Sequence, residues 1–240
     1  MKTIPKINAA YWICLIAASV FGTNTGDYFA EELKLGHLDG LPWLMSALLL
    51  IFLVEKRSTK GSPLFFWAVI IVIRTAATNI GDAFGDFNIG FSLSLPITAA
   101  IYAACVGLYA YQRNRTAYAS GPLNVSPLYW VCMILAGILG TIGGDFASFG
   151  LHLMPPGTAL LFGFLALGLI VAGYKLWTHA LYYWLCLAVV RTAGTGGGDA
   201  LAHWVGLPQA TLLTGCIFIG LIVIFYALSQ DNWARGAVNG

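Results

Sequence analysis

The chain has 240 residues, 59% of them apolar and only 9% charged, with a net charge of +2 and a mean hydropathy of +0.79. A soluble domain carries about 25% charged residues, so this chain has too little polar surface for a water-facing fold, and its apolar richness excludes disorder. The small net charge gives no basic field for nucleic acid, and the composition predicts an integral membrane protein whose first partner is the lipid bilayer.

From the amino end, apolar stretches fall at 8–33 and 40–55, 63–87 and 93–112, 127–150 and 156–176, and 180–204 and 208–229. About 20 residues in a helix rising 1.5 Å each cross the hydrocarbon layer. Eight spanning helices are therefore predicted, the marginal one near 41–54 being little tilted or partly interfacial. Ten-residue stretches of strict alternation, as a membrane β-barrel needs, are absent. The start, with Lys2 and Lys6 before an apolar run, has features of a signal peptide. It is expected to be retained, because it shares a motif with three later segments. Five cysteines (Cys14, Cys105, Cys132, Cys186, Cys216) lie in apolar runs without metal-ligand spacing and read as small buried side chains.

Four Gly-Asp pairs recur at Gly26-Asp27, Gly81-Asp82, Gly144-Asp145 and Gly198-Asp199. Fifteen residues before each aspartate stands a tryptophan (Trp12, Trp67, Trp130, Trp184), itself preceded by an aromatic residue (Tyr11, Phe66, Tyr129, Tyr183). Four residues before it stands a threonine: Thr23, Thr78, Thr141, Thr195. These coincidences define a fourfold repeat, each copy holding two apolar stretches. Arg74 and Arg191 lie eight residues before Asp82 and Asp199, where repeats one and three have Ser19 and Gly137. The chain thus reads as two pseudo-symmetric halves of two repeats: residues 1–113, a polar cytoplasmic linker at 114–125, and residues 126–240.

Basic residues concentrate at the termini and between repeats (Lys2, Lys6, Lys56, Arg57, Lys60, Arg113, Arg115, Lys175, Arg235), whereas the loops within repeats hold only Lys34, offset by Glu31, Glu32 and Asp39. The positive-inside rule then places both termini in the cytoplasm. All repeats point the same way, as parallel repeats about an axis along the membrane normal. The aromatic pairs are expected at the cytoplasmic interface, the aspartates about 22 Å deeper toward the outer face, and the arginines about 12 Å nearer the cytoplasm than the aspartates.

A charge at the bilayer centre costs about 2.5–3.5 kcal/mol on insertion scales. Asp27, Glu31, Asp82, Asp86, Asp145 and Asp199 with Arg74 and Arg191 must therefore face one another or water, the first helices lining an interior and the second helices standing outside. The acids outnumber the arginines by four, which invites an inorganic cation or protons. Residues four apart share a helix face, and that offset adds Glu31, Asp86 and His203, with Phe149 in repeat three. His152, seven beyond Asp145, supplies the missing ligand if the helix persists that far. Carboxylates with imidazoles suit divalent manganese or zinc, and carboxylates with carbonyls suit magnesium or calcium. Plainer roles compete: Gly-Asp as a turn or cap, Gly and Thr as small residues at helix contacts, and the arginines as structural partners of the aspartates.

The Tyr-Trp pair, an arginine eight before an aspartate and the repeated Thr-x-x-Gly-Asp resemble a bacterial family of uncharacterised membrane-anchored proteins, with the same length and four-part apolar pattern. The likeness runs from residue 11 to about 228, most closely over 187–204 with Arg191, Asp199 and Trp204. It implies the membrane class and a retained first helix, and no activity. The expectation carried forward is a transporter or channel of the bacterial inner membrane for a cation, a divalent metal ion first, with proton coupling as an option, possessing a ring of Asp27, Asp82, Asp145 and Asp199. Glu31, Asp86, His152 and His203 would form its outer vestibule, with Arg74 and Arg191 as counter-charges and the four threonines as packing or polar lining. The alternative is a structural or accessory subunit held by Arg–Asp pairs. No catalytic signature such as HExxH or GxSxG is present, so no enzymatic activity is expected.

Overall fold

A computed structural model describes residues 5–58, 62–115 and 123–228. Most of the expected linker, and Lys2, Lys60 and Arg235 of the charge asymmetry, lie outside the described residues. Eight α-helices follow in order: α1 (Ala9–Asp27), α2 (Leu41–Arg57), α3 (Pro63–Asp86), α4 (Phe91–Asn114), α5 (Pro127–Asp145), α6 (Met154–Ala172), α7 (Ala180–Val205) and α8 (Leu207–Leu228). Among the described residues there is no strand. The protein is an all-α membrane protein.

Local chemistry fixes where the first helices of repeats one to three begin. Asn8 accepts from the Tyr11 N–H at 2.9 Å, and Ser62 and Ser126 cap α3 and α5, each with a proline in the first turn. Five helices are long and apolar enough to cross a bilayer unaided: α3, α4, α5 with its extension to Gly150, α6 and α8. The others are α2, with only 17 residues, α1, with Thr, Asn and Gly in its last turns, and α7, rich in Gly and Thr. At the end of α7, Gly206 takes φ +88°, a left-handed conformation that lets α8 start at the next residue.

The four first helices form a closed ring, α1 against α3, α3 against α5, α5 against α7 and α7 against α1. The second helices stand outside, as expected. In α4, α6 and α8, 22%, 17% and 28% of the apolar window is buried, against 61% in α3 and α5. Their outward leucines, isoleucines and phenylalanines are the surface that lipid covers. The outer helices do not, however, form simple hairpins with the inner helices that precede them. Each packs chiefly on the first helix of the following repeat: α2 on α3, α4 on α5, α6 on α7, and α8 back on α1.

Small residues permit this. A Cβ on Gly196 of α7 would sit 2.8 Å from the Ala159 nitrogen of α6. At the closure, the Thr211 hydroxyl donates to the Asn24 carbonyl at 3.1 Å, and Phe21 stacks on Phe218 at 6.0 Å.

The odd and even repeats end differently. After Asp27 and Asp145 the helix loosens into a π-helical turn, Tyr28–Glu32 and Phe146–Gly150, while α3 and α7 end without one. This alternation agrees with a two-repeat unit present twice.

Candidate functional site: four carboxylates above a closed axis

Along the ring, glycine and threonine interlock in a cyclic order. The glycine before each aspartate packs on the motif threonine of the next repeat: Gly26 on Thr78, Gly81 on Thr141, Gly144 on Thr195 and Gly198 on Thr23. An added Cβ at these glycines would lie 2.8, 2.8, 2.7 and 3.0 Å from the threonine Cβ. One turn nearer the termini the pattern repeats, with Gly22 on Arg74, Ala77 against Gly137, Gly140 on Arg191 and Gly194 on Ser19. The small residues of the motif thus bring four backbones together, as in other membrane bundles, and the aspartates follow at one level.

All four aspartates are half-buried. Asp82 has Asp27, Asp145 and Asp199 as electrostatic neighbours, together with Arg74. Asp199 has Asp27, Asp145, Arg74 and Glu31. One carboxylate from each repeat thus lies within electrostatic reach of the others.

The arginines behave differently from the expectation of Arg–Asp pairs. Among the described residues neither Arg74 nor Arg191 forms a salt bridge with a carboxylate. Eight residues along one helix is about 12 Å of rise, too far for direct contact within a repeat, and the threonines lie between. Arg74 is fully buried and reaches toward the aspartates, donating to Thr141 Oγ1 at 2.9 Å, the Gly137 carbonyl at 3.1 Å, Thr23 Oγ1 at 2.7 Å and Thr195 Oγ1 at 2.8 Å. It thereby ties α3 to α5, α1 and α7. Three of the four motif threonines are its hydrogen-bond acceptors, whereas the buried Thr78 hydroxyl has no partner among the described residues. Arg191, equally buried, turns the other way, donating to Ser19 Oγ at 3.1 Å and meeting Met133 Sδ at 3.5 Å.

Below the arginines the axis is filled. Leu15, Ile70, Met133 and Leu187, one from each repeat, are completely buried. The next layer brings the Tyr11 and Tyr183 hydroxyls to 2.6 Å and those of Tyr183 and Tyr129 to 2.9 Å, with Phe66 as the fourth member. The aromatic pairs were expected in an interfacial belt. Instead their first members are buried on the axis, and Trp12, Trp67 and Trp184 pack around them. The exposed aromatics at the helix ends are others: Trp43 and Trp204 at the aspartate end, and Tyr111 and Tyr174 at the opposite end, with Arg115 and Lys175 over their rings.

The vestibule is looser than expected. Glu31 is exposed and is an electrostatic neighbour of Asp27 and Asp199. Asp86, also exposed, is paired with His37 Nδ1 of the α1–α2 connection at 2.7 Å. His203 is exposed on the last turns of α7. His152 does not share the face of Asp145, because the π-helical turn ends at Gly150 and His152 lies beyond it, exposed at φ +57°. Among the described residues no group of three or more His, Cys, Asp and Glu is arranged to hold a metal ion. The five cysteines are free, and Cys14, Cys132 and Cys186 are buried as expected, but Cys216 is exposed on α8.

Sequence reasoning missed the hydroxyl chain of Tyr11, Tyr183 and Tyr129, although the aromatic position sixteen before each aspartate was its signal. It also missed the His37 partner of Asp86, which no periodicity marks.

Fold and site together define a multi-pass helical membrane protein built of internal repeats, with four carboxylates near one end of its inner helices. Residues 10–60 and 128–176 match a family model described as Repeat of Unknown Function (DUF347). These stretches are repeats one and three, the two whose first helices run into π-helical turns. No curated protein and no solved structure matches the chain.

Proposed function

We propose that this protein admits a cation from the side opposite its termini and holds it at the ring of Asp27, Asp82, Asp145 and Asp199, as a transporter or channel. One observation carries the reading. Four half-buried carboxylates converge from four helices, and among the described residues no arginine forms an ion pair with them. A cluster of four carboxylates with a single arginine nearby and no ion pair to it carries a surplus of negative charge that recruits an ion or protons. Arg74 forms the floor of the ring and the buried tyrosine layer closes the far end, which fits a state open to one side only.

In this reading the termini lie in the cytoplasm of a bacterial cell, the carboxylate ring faces outward across the inner membrane, and no chemical step is involved. The absence of a three-ligand group among the described residues favours protons, or a cation held without a full shell of protein ligands, over a stripped divalent ion.

The test is flux into proteoliposomes across a panel of protons, sodium, potassium, magnesium, manganese, calcium and zinc. Asp82→Asn with Asp199→Asn should abolish whichever flux the wild type shows, with the elution profile of the folded protein retained. Unchanged flux would reject the reading.

A structural role is favoured by the way Arg74 bonds three neighbouring helices at once. Under that alternative the wild type moves no ion, and Arg74→Met unfolds the bundle.

A further inference from the structure

Beside the ring lies a cavity that its chemistry as an ion site does not require. Between repeats two and three, at the aspartate end, lies a cleft of about 470 Å³ lined by Asp82 and Asp145 and by the apolar side chains Phe84, Phe91, Ile142 and Phe149. Its origin is visible in the repeat. Three residues before the aspartate, repeat four has Gly196, which admits Thr158 and Ala159 of the preceding outer helix to close contact. Repeat three has Ile142 at that position; Phe91 and Leu95 at the start of α4 pack on the cluster of Ala77, Ile138 and Ile142, and the cleft lies beside them.

The volume lies within the range of about 300–1,000 Å³ typical of small-molecule sites, which combine mostly apolar walls with a few polar groups. It is about fifteen times the ~30 Å³ share of a water molecule. An inorganic ion gains nothing from phenylalanine walls on this scale, whereas an ammonium group on an apolar body satisfies both halves of the lining. Its charge meets two carboxylates, and aromatic faces attract ammonium groups.

We infer that the cleft between repeats two and three admits an organic monocation, an amine with an aromatic or alkyl body, and presents its ammonium group to Asp82 and Asp145. The inference rests on the aspartate ring being a cation site and names the class of its substrate.

The experiment is calorimetric titration of the purified full-length protein in micelles with phenethylammonium, beside sodium and manganese. Saturable phenethylammonium binding is expected, and Asp145→Asn should remove it. Gly85→Leu fills the cleft without a clash, since a Cβ there meets nothing within 4 Å. It should weaken phenethylammonium at least tenfold while the melting temperature is kept. Three results would overturn the inference: undiminished phenethylammonium binding in Gly85→Leu, a co-purified phospholipid that phenethylammonium fails to displace, or saturable binding of inorganic cations alone. The last leaves the aspartate ring a cation site, whereas binding of no cation at all overturns both readings.

Discussion

At the scale of single residues, the arginines show how a membrane interior hosts a charge without an opposite charge in contact. Insertion of an arginine costs several kcal/mol, and Arg74 recovers this through hydroxyls and a carbonyl from three helices. Hydrogen bonds to charged groups are worth about 1.5–3 kcal/mol each. Thr141→Val keeps the shape and removes one acceptor, so a loss of about 1.5–3 kcal/mol is expected in detergent-induced unfolding. Thr78→Val, whose hydroxyl has no partner among the described residues, should change stability little by the same measurement. The positions of Asp82 and Arg74 were legible in the sequence, because repeated offsets mark a common face. Their relation was misread, because opposite charge suggested a pair while the spacing already set them two turns apart.

At the scale of helices, close contact is enforced by position-specific glycines. Gly144→Ala would press a methyl group to 2.7 Å from Thr195 Cβ, and overpacking of this kind costs about 1–3 kcal/mol. Gly168→Ala on α6 meets nothing within 4 Å and should be neutral or stabilising by up to about 1 kcal/mol through helix propensity. Thermal unfolding of the two variants in the same detergent checks the contrast. The inner and outer roles of the helices followed from where the polar residues lie. The transfer of each outer helix to the following repeat did not, because consecutive elements usually neighbour each other in space. Only side-chain fit, such as Gly196 beneath Thr158, decides otherwise.

At the scale of the molecule, the halves seen in the sequence share their cores. The outer helix α4 of the first half covers α5 of the second, α8 of the second covers α1 of the first, and the inner ring crosses the boundary twice. Residues 1–115 expressed alone should therefore aggregate, and co-expression with residues 116–240 should yield a complex that co-purifies through a tag on either piece. A monodisperse, folded half in isolation would contradict this.

The two arginines carry a further consequence. They occupy matching positions in matching motifs, yet one points toward the carboxylates and the other toward the tyrosines. Two guanidinium groups crowded on a narrow dry axis repel each other if they keep to one height, so equivalence by rotation is lost. A homodimer of half-length chains could adopt such lopsidedness but could not encode it, since every mutation would strike both partners. Fusion into one polypeptide lets evolution tailor the surroundings of each arginine separately.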